Sequence, residues 1–296
     1  MAPRSKEAPT GDRIDPVPAR VAFLGPAGTF TEEALRASAP GPVEEVPYPS
    51  IYETVMAVHE GETDMAVVPI ENSLEGSVTT TLDVLATEAS DVQIAKEFVL
   101  PVRHNLIGAR ELALDQIQRV ISHPQATPQC TRFLRDKLGH ADRALAGSTA
   151  EAVRTVAEAG QPWAAIGSKL AAELYGAVVL VEGIEDEAGN ETRFVWLARE
   201  GHAAFGEPTK TSIVFWGFND VSAGALVDVL TELSSRGINL TKIESRPRRV
   251  GGLGHYMFFA DLEGAAADPH VNEALTALGE RVHAMKVLGS YPAAAA

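Results

Sequence analysis

Thr192, Arg193 and Phe194 place a hydroxyl, a guanidinium and an aromatic ring side by side in the stretch Gly189-Asn190-Glu191-Thr192-Arg193-Phe194, and the apolar run Phe194-Val195-Trp196-Leu197-Ala198 continues from them. A polar turn running straight into an apolar strand sets such groups at the mouth of a sheet, where binding and catalysis concentrate. The hydroxyl can donate to an oxygen that gathers charge. The guanidinium can pair with a ligand carboxylate, or lock the strand to a buried acid. Alone, a Thr-Arg-Phe tripeptide carries little weight, and the other loops must supply the rest.

Those loops share one pattern. Arg20-Val21-Ala22-Phe23-Leu24 is an apolar strand ending at Gly25-Pro26-Ala27-Gly28-Thr29, and Thr29 with Glu32 makes the capping box of a helix through Ala39. Strand, Gly-rich turn and helix start make either an anion cradle, with Gly28 and Thr29 against the ligand, or a plain tight turn. The glycine spacing fits neither a dinucleotide fingerprint nor a P-loop. Asp64 to Ile70 is a buried strand that stops at Glu71-Asn72-Ser73-Leu74-Glu75-Gly76-Ser77, gathering an amide, two hydroxyls and two carboxylates. Arg119 to His123 ends at Pro124-Gln125-Ala126-Thr127-Pro128-Gln129-Cys130. There Gln129 sits in the first helical turn within reach of a ligand, and His123 is either an acid–base group or a structural hydrogen-bonder. Cys130 shares a helical face with Phe133, Leu134 and Leu138, which favours a small core hydrophobe over a nucleophile. Gly147-Ser148-Thr149-Ala150-Glu151 is a further capping box, and Trp163 to Ile166 ends at Gly167-Ser168-Lys169.

The elements that position these loops alternate strand and helix over the first 200 residues, the signature of a mostly parallel α/β sheet. In such sheets a ligand lies outside the carboxyl ends of the strands. The strand ends and the length predict two lobes with a cleft between them: residues 20–97 with 190–200, and 98–189. Residues 201–209 read as a linker. Residues 210–292 then read β-α-β-β-α-β, the ferredoxin-like plan. Residues 1–19, rich in Pro, Ala and charge, read as a disordered leader without the apolar segment of a secretory signal.

The 296 residues carry a formal net charge of −15, which argues against nucleic acid as a partner. No apolar run reaches the roughly 18 residues of a membrane span. The single cysteine excludes internal disulfides and fits a reducing cytoplasm.

Gly25-Pro26-Ala27-Gly28-Thr29-Phe30, Pro69-Ile70-Glu71-Asn72-Ser73, Ser122-His123-Pro124-Gln125, Ser148-Thr149-Ala150 and Thr192-Arg193-Phe194 stand in an order that resembles prephenate dehydratases over residues 20 to 200. The segment after Lys210 resembles the ACT regulatory domain, with Gly224-Ala225-Leu226 and Glu244-Ser245-Arg246-Pro247 similar to its phenylalanine-binding motifs. The resemblance implies a catalytic domain shaped like type II periplasmic binding proteins and a cofactor-free, metal-free conversion of prephenate to phenylpyruvate. It makes Thr192 the key donor to the leaving hydroxyl. Asn72, Ser122, Gln129, Ser148 and Thr149, with Gly28, Thr29 and Ser73, would bind the substrate, and Phe194 would pack the cleft wall. Glu71 is an orienting anion or, if burial keeps it protonated, the acid. Phenylalanine would sit near Gly224, Ala225, Leu226, Asn239, Leu240, Glu244, Ser245 and Arg246, at a seam between units of a homodimer or homotetramer. Arogenate as substrate, or a non-catalytic sensor of binding-protein shape, are the alternatives.

Overall fold

The computed structural model describes residues 18–202, 205–218, 223–248 and 254–294; residues 1–17 of the leader, Ser222 and the Val250-Gly251-Gly252-Leu253 link lie outside the described residues. Three sheets organise the chain. The first contains β1 (Ala19–Leu24), β2 (Val43–Tyr48), β3 (Met65–Asn72), the short β4 (Gly76–Ser77), β5 (Val92–Pro101) and β11 (Glu191–Arg199), in the order β2-β1-β3-β11-β5 with β4 on β3. The second contains β6 (Asn105–Gly108), β7 (Arg119–Ser122), β8 (Asp142–Leu145), β9 (Trp163–Gly167) and β10 (Val178–Val181), in the order β10-β6-β9-β7-β8. Helices α1 (Phe30–Ser38), α2 (Ile51–His59) and α3 (Thr79–Thr87) belong to the first lobe, and α4 (Thr131–Leu138), α5 (Thr149–Ala159) and α6 (Lys169–Leu174) to the second.

Each of these sheets is mixed. β1 pairs parallel with β2 and β3, and β7 with β8 and β9, whereas β11, β6 and β10 join antiparallel. The antiparallel members follow from the crossover: the chain leaves the first lobe after β5 and returns as β11, which inserts between β3 and β5. The departure falls past Pro101, a few residues beyond the boundary at 97 read from the sequence. Val92, Ile94 and Leu100 are buried along β5, which ties its whole length to the first sheet.

The third sheet follows the expected ferredoxin-like order: β12 (Lys210–Trp216), α7 (Ala225–Ser234), β13 (Leu240–Pro247), β14 (Tyr256–Glu263), α8 (Pro269–Arg281) and β15 (Ala284–Tyr291) form an antiparallel sheet β13-β14-β12-β15. One face carries α7 and α8 over Ile213, Phe215, Leu233 and Leu278. The other presses on the first lobe. A Cβ on Gly289 would lie 2.2 Å from the Ile94 carbonyl oxygen, so only glycine lets β15 meet β5 this closely. Val214, Met257, Phe259, Leu288 and Tyr291 share one apolar core with Val68, Leu85, Val195 and Leu197. The third unit is therefore fused to the first lobe by buried surface, not hung from a linker. Among the described residues no helix is long and apolar enough to cross a membrane.

Candidate active site

A cavity of about 930 Å³ opens between the first two sheets, lined from the first lobe by the Leu24–Thr31 turn, Pro69, Asn72 and Glu75, and from the second by His104, His123, Gln129, Ser148, Thr149 and Arg154. The crossover contributes Asn190, Thr192 and Phe194. Strand alternation explains that set: 190, 192 and 194 share one face, and 191 and 193 the other.

Thr192 sits opposite Asn72 in the β3–β11 ladder. The Asn72 Nδ2 donates to Thr192 Oγ1 at 2.9 Å, to Asn190 Oδ1 at 2.8 Å and to the Glu191 carbonyl at 3.2 Å. Its Oδ1 accepts the backbone N–H of Leu74 (2.9 Å) and Glu75 (3.0 Å), which fixes the sense of the amide. Thr192 is thus an acceptor from Asn72, and no described residue takes its own hydroxyl hydrogen. That hydrogen is left for whatever occupies the cleft. Beyond Asn190 the chain continues to Gln129 and then to His104, whose Nε2 lies 2.9 Å from Gln129 Oε1. Burial lowers the His104 pKa, so the ring is neutral at pH 7.

Thr29, Gln129, Ser148, Thr149 and Phe194 line the cavity with Asn72 and Thr192. Thr29 and Ser148 also cap α1 and α5 through Oγ, accepting from Glu32 N and Glu151 N respectively. His123 lines the cavity with Nδ1 accepting from Gln125 N at 3.3 Å, the structural role among its two readings.

Other sequence-derived candidates lie elsewhere. The Gly28 N–H is taken by Glu32 Oε2 at 2.5 Å, and its carbonyl accepts from Ser168 Oγ. The turn there is a junction between lobes rather than an anion cradle, and Tyr175 adds a bond to the Ala27 carbonyl at 2.7 Å. Ser73 is spent on the returning strand, bonding Gly189 O and Glu191 N. Ser122 is buried against its own chain and does not line the cavity.

Arg193 and Glu71 require the largest correction. Both point away from the cleft, into a cluster that joins the first sheet to the third unit. The Arg193 guanidinium, 11% exposed, meets Glu71 at 2.9 Å, Glu97 at 3.1 Å and Asp261 of β14 at 2.9 Å. Lys242 of β13 reaches Glu71 at 3.2 Å, and Lys210 reaches Glu97 at 2.6 Å. Burial works to raise the Glu71 carboxyl, but the Arg193 and Lys242 charges outweigh it and hold it below the ordinary carboxylate range. Glu71 is therefore an anion behind the strand, not an acid in the cleft, and Arg193 is the strand lock of its two readings. Cys130 is buried among Leu134, Leu138 and Ile166, and burial pushes its thiol up to about 12, far from a reactive thiolate.

On the third unit, Gly224 precedes α7 with φ +88°, and Ala225 and Leu226 open the helix. Asn239 bonds Glu263 at 3.0 Å, and Leu240 packs on the helical-side core. Glu244 and Arg246 turn to the catalytic unit: Glu244 accepts from Ser77, and Arg246 holds Asp83 of α3 at 2.8 and 3.0 Å. Ser245, between them, is exposed.

Asn190, His104 and Arg154 escaped the sequence reading, and Glu75 entered it only as one of the two carboxylates of its loop. Asn190 shares parity with Thr192 and Phe194, and Arg154 lies one to two turns after the Ser148-Thr149 start on α5, so period-2 and period-3.6 spacing would have marked both. His104 carries no comparable local signal.

Comparisons with known proteins agree with this layout. The family model described as Prephenate dehydratase matches residues 21–202, and that of the ACT domain matches residues 218–280. The chain is 40% identical over 275 residues to a prephenate dehydratase of Amycolatopsis methanolica, covering 92% of this chain and 88% of the relative. A solved prephenate dehydratase from Arthrobacter aurescens, in complex with L-Phe, superposes with a TM-score of 0.83 at 38% identity over 92% of this chain and 89% of that one. A structure described as GqqA, a novel type of quorum quenching acylase, superposes with a TM-score of 0.82 at 32% identity over 93% and 98%.

Proposed function

The chain belongs to the prephenate dehydratase family, and from that premise we propose that it converts prephenate to phenylpyruvate, carbon dioxide and water. As a reaction class this is a carbon–oxygen lyase. The bond from the ring to its carboxylate carbon breaks, its electron pair moves through the diene, and the C4–O bond breaks, the departing hydroxide taking a proton from solvent to leave as water. Aromatisation drives the step, so the residues need only hold a dianion in register and offer a hydrogen to the departing oxygen.

The observation that carries this reading is the Thr192 hydroxyl, fixed by Asn72 as an acceptor and left with its hydrogen free at the cleft. A threonine hydroxyl is too weak an acid to surrender its proton fully, so Thr192 stabilises the developing charge. Arg154, on the cleft wall, is suited to a substrate carboxylate in the place expected of Arg193. Ser148, Thr149 and the start of α5 add N–H dipoles of the favourable sign.

The same geometry argues against acyl transfer, the activity in the GqqA description. A threonine nucleophile needs a neighbouring base to take its hydrogen, whereas Asn72 gives a hydrogen to Oγ1 and supplies no base.

We assign residues 20–200 the catalysis and 210–292 the feedback response to phenylalanine, with β13 as the sheet edge available for pairing into a homodimer or homotetramer. The cytoplasm is the compartment this reading assigns. Purified protein is mixed with prephenate, no cofactor added, and phenylpyruvate is followed with and without phenylalanine. Turnover suppressed by phenylalanine is the expected result. Turnover on arogenate alone moves the assignment to the sister reaction, and silence on both overturns it.

A further inference from the structure

Asn190 is 3% exposed, yet both ends of its amide are committed. Its Nδ2 donates to Gln129 Oε1 at 2.8 Å, and its Oδ1 accepts from Asn72 Nδ2 at 2.8 Å. We propose that Asn190 is a positioning residue for the dehydration step: it completes a chain of amides, running from Glu75 through Gln129 and Asn72, whose one-way sense leaves the Thr192 hydroxyl free to donate to substrate. The inference rests on the dehydratase reading above.

The sense of the chain follows from hydrogen-bonding capacity alone. Gln129 Nε2 donates to Glu75 Oε1 at 3.1 Å. An ionised carboxylate accepts only, so the amide oxygen of Gln129 must face the other way. There it meets two donors, Asn190 Nδ2 and His104 Nε2. Asn190, having turned its NH₂ to Gln129, presents its oxygen to Asn72. Asn72 is pinned from its own side by the N–H groups of Leu74 and Glu75, so its NH₂ serves Asn190, the Glu191 carbonyl and Thr192 together. Each end would orient the middle unaided; Asn190 makes the two ends agree. It also spans the cleft, since Glu75 and Asn72 belong to the first lobe and Gln129 to the second. The three amides carry no charge, and the one carboxylate of the run, Glu75, is held by the NH₂ groups of Gln125 and Gln129.

Without the Asn190 oxygen, Asn72 keeps its sense through Leu74 N and Glu75 N but loses its shortest acceptor, so its NH₂ is shared between the Glu191 carbonyl and Thr192 Oγ1 alone and its aim at the hydroxyl shifts. The threonine hydroxyl can then rotate and donate to a protein carbonyl instead of to substrate. The loss falls on the chemical step rather than on binding.

The experiment uses the full-length protein and prephenate. Asn190→Ala is expected to lower kcat about tenfold to a hundredfold, the scale of a small misplacement of a catalytic group, with KM within about threefold. In the Thr192→Ala background the same substitution is expected to cost less than about twofold, because the hydroxyl it served is gone. Asn190→Asp restores an acceptor for Asn72 but sets a carboxylate oxygen against Gln129 Oε1 and a negative charge near a dianion, so it is expected to regain only part of kcat while raising KM. If the alanine protein does not fold, Asn190→Ser repeats the test with a side chain too short to reach Asn72. Wild-type kcat in the alanine or serine protein, or a loss of equal size with and without Thr192, overturns the role. Those outcomes are read against an active wild type that Thr192→Ala impairs, whereas an inactive wild type sinks the dehydratase reading itself.

Discussion

The two faces of β11 solve opposite problems with adjacent residues. On the cleft face Thr192 is held by neutral amides, and nothing in the run from Asn72 through Asn190 to Gln129 carries a charge. On the far face Arg193 is held by Glu71, Glu97 and Asp261, with Lys242 and Lys210 adding charge around the same acids. Neutral dipoles suit a site that must admit a dianion and point one hydrogen. A buried guanidinium tolerates no such economy: out of water it needs carboxylates around it. The strand therefore separates the group to which we assign the chemistry from the group that holds the two units together, though the two are consecutive in sequence.

The contrast breaks most visibly on the charged side. Arg193→Ala leaves Glu97 and Asp261 buried with less compensation, and loss of one partner from such a cluster costs about 3–5 kcal/mol. Urea unfolding should show that loss, and the variant's surviving folded fraction should still turn over. A normal midpoint would mean the cluster is neutral in the balance. On the cleft side the expectation inverts. Thr192→Ala should lower kcat by roughly 10²–10³, about 2.7–4 kcal/mol of transition-state stabilisation, with an unfolding midpoint close to wild type. A stable, fully active Thr192→Ala protein would refute the catalytic role.

What could be read in advance divides along the same line. The strand-end loops were legible because caps and turns are local chemistry: Thr29 and Ser148 each accept the expected backbone N–H in the first turn of a helix. The β-α-β-β-α-β unit was legible from apolar periodicity. Arg193 was left between two readings although strand parity decides it, since neighbours in a strand cannot both face a cleft. The same parity pointed to Asn190. The partners of the far face were not legible at all. Asp261 and Lys242 come from strands far along the chain, and only the docking of the third sheet on β5 brings them to Arg193. The glycine role expected of Gly28 failed for a local reason instead: Glu32, four residues on, reaches back to its N–H and removes the donor an anion would need.

The two faces should also titrate apart. Burial holds His104, at the end of the cleft-face chain, below its ordinary value of 6.5. Between those two values the unfolded chain takes up a proton that the folded one refuses, so stability falls as pH drops below about 6.5. On the other face burial works to raise Glu71 and Glu97, but their cationic partners outweigh it and leave both below the ordinary 4.5. Their contribution is complete above that value and is lost only as pH falls through the lowered folded values. Urea midpoints taken across the acid range should therefore decline in two stages. His104→Gln should flatten the first, worth at most about 1.4 kcal/mol per pH unit for one proton, and leave the second in place. A single stage near the carboxylate range would show that His104 binds its proton as readily folded as unfolded.

The smallest expected effect tests whether the charged face also carries a signal. Arg246, in a motif that resembles a phenylalanine-binding one, is committed in this structure to Asp83 of α3, and Glu244 of the same motif to Ser77 beside β3. A part for Arg246 at the effector would require the Asp83 pair to open or be shared. Removing Asp83 lowers the cost of that change, so Asp83→Asn should leave kcat without phenylalanine unaltered and lower the half-inhibiting phenylalanine concentration by up to about fivefold, the low end of allosteric coupling energies. Higher concentrations needed for inhibition would instead mean that the docked strand is the inhibited arrangement and that Asp83 helps hold it. An unchanged response would confine the Arg246–Asp83 pair to docking, and the link between effector and cleft would then have to pass through Asp261 to Arg193 and the strand that Arg193 shares with Thr192.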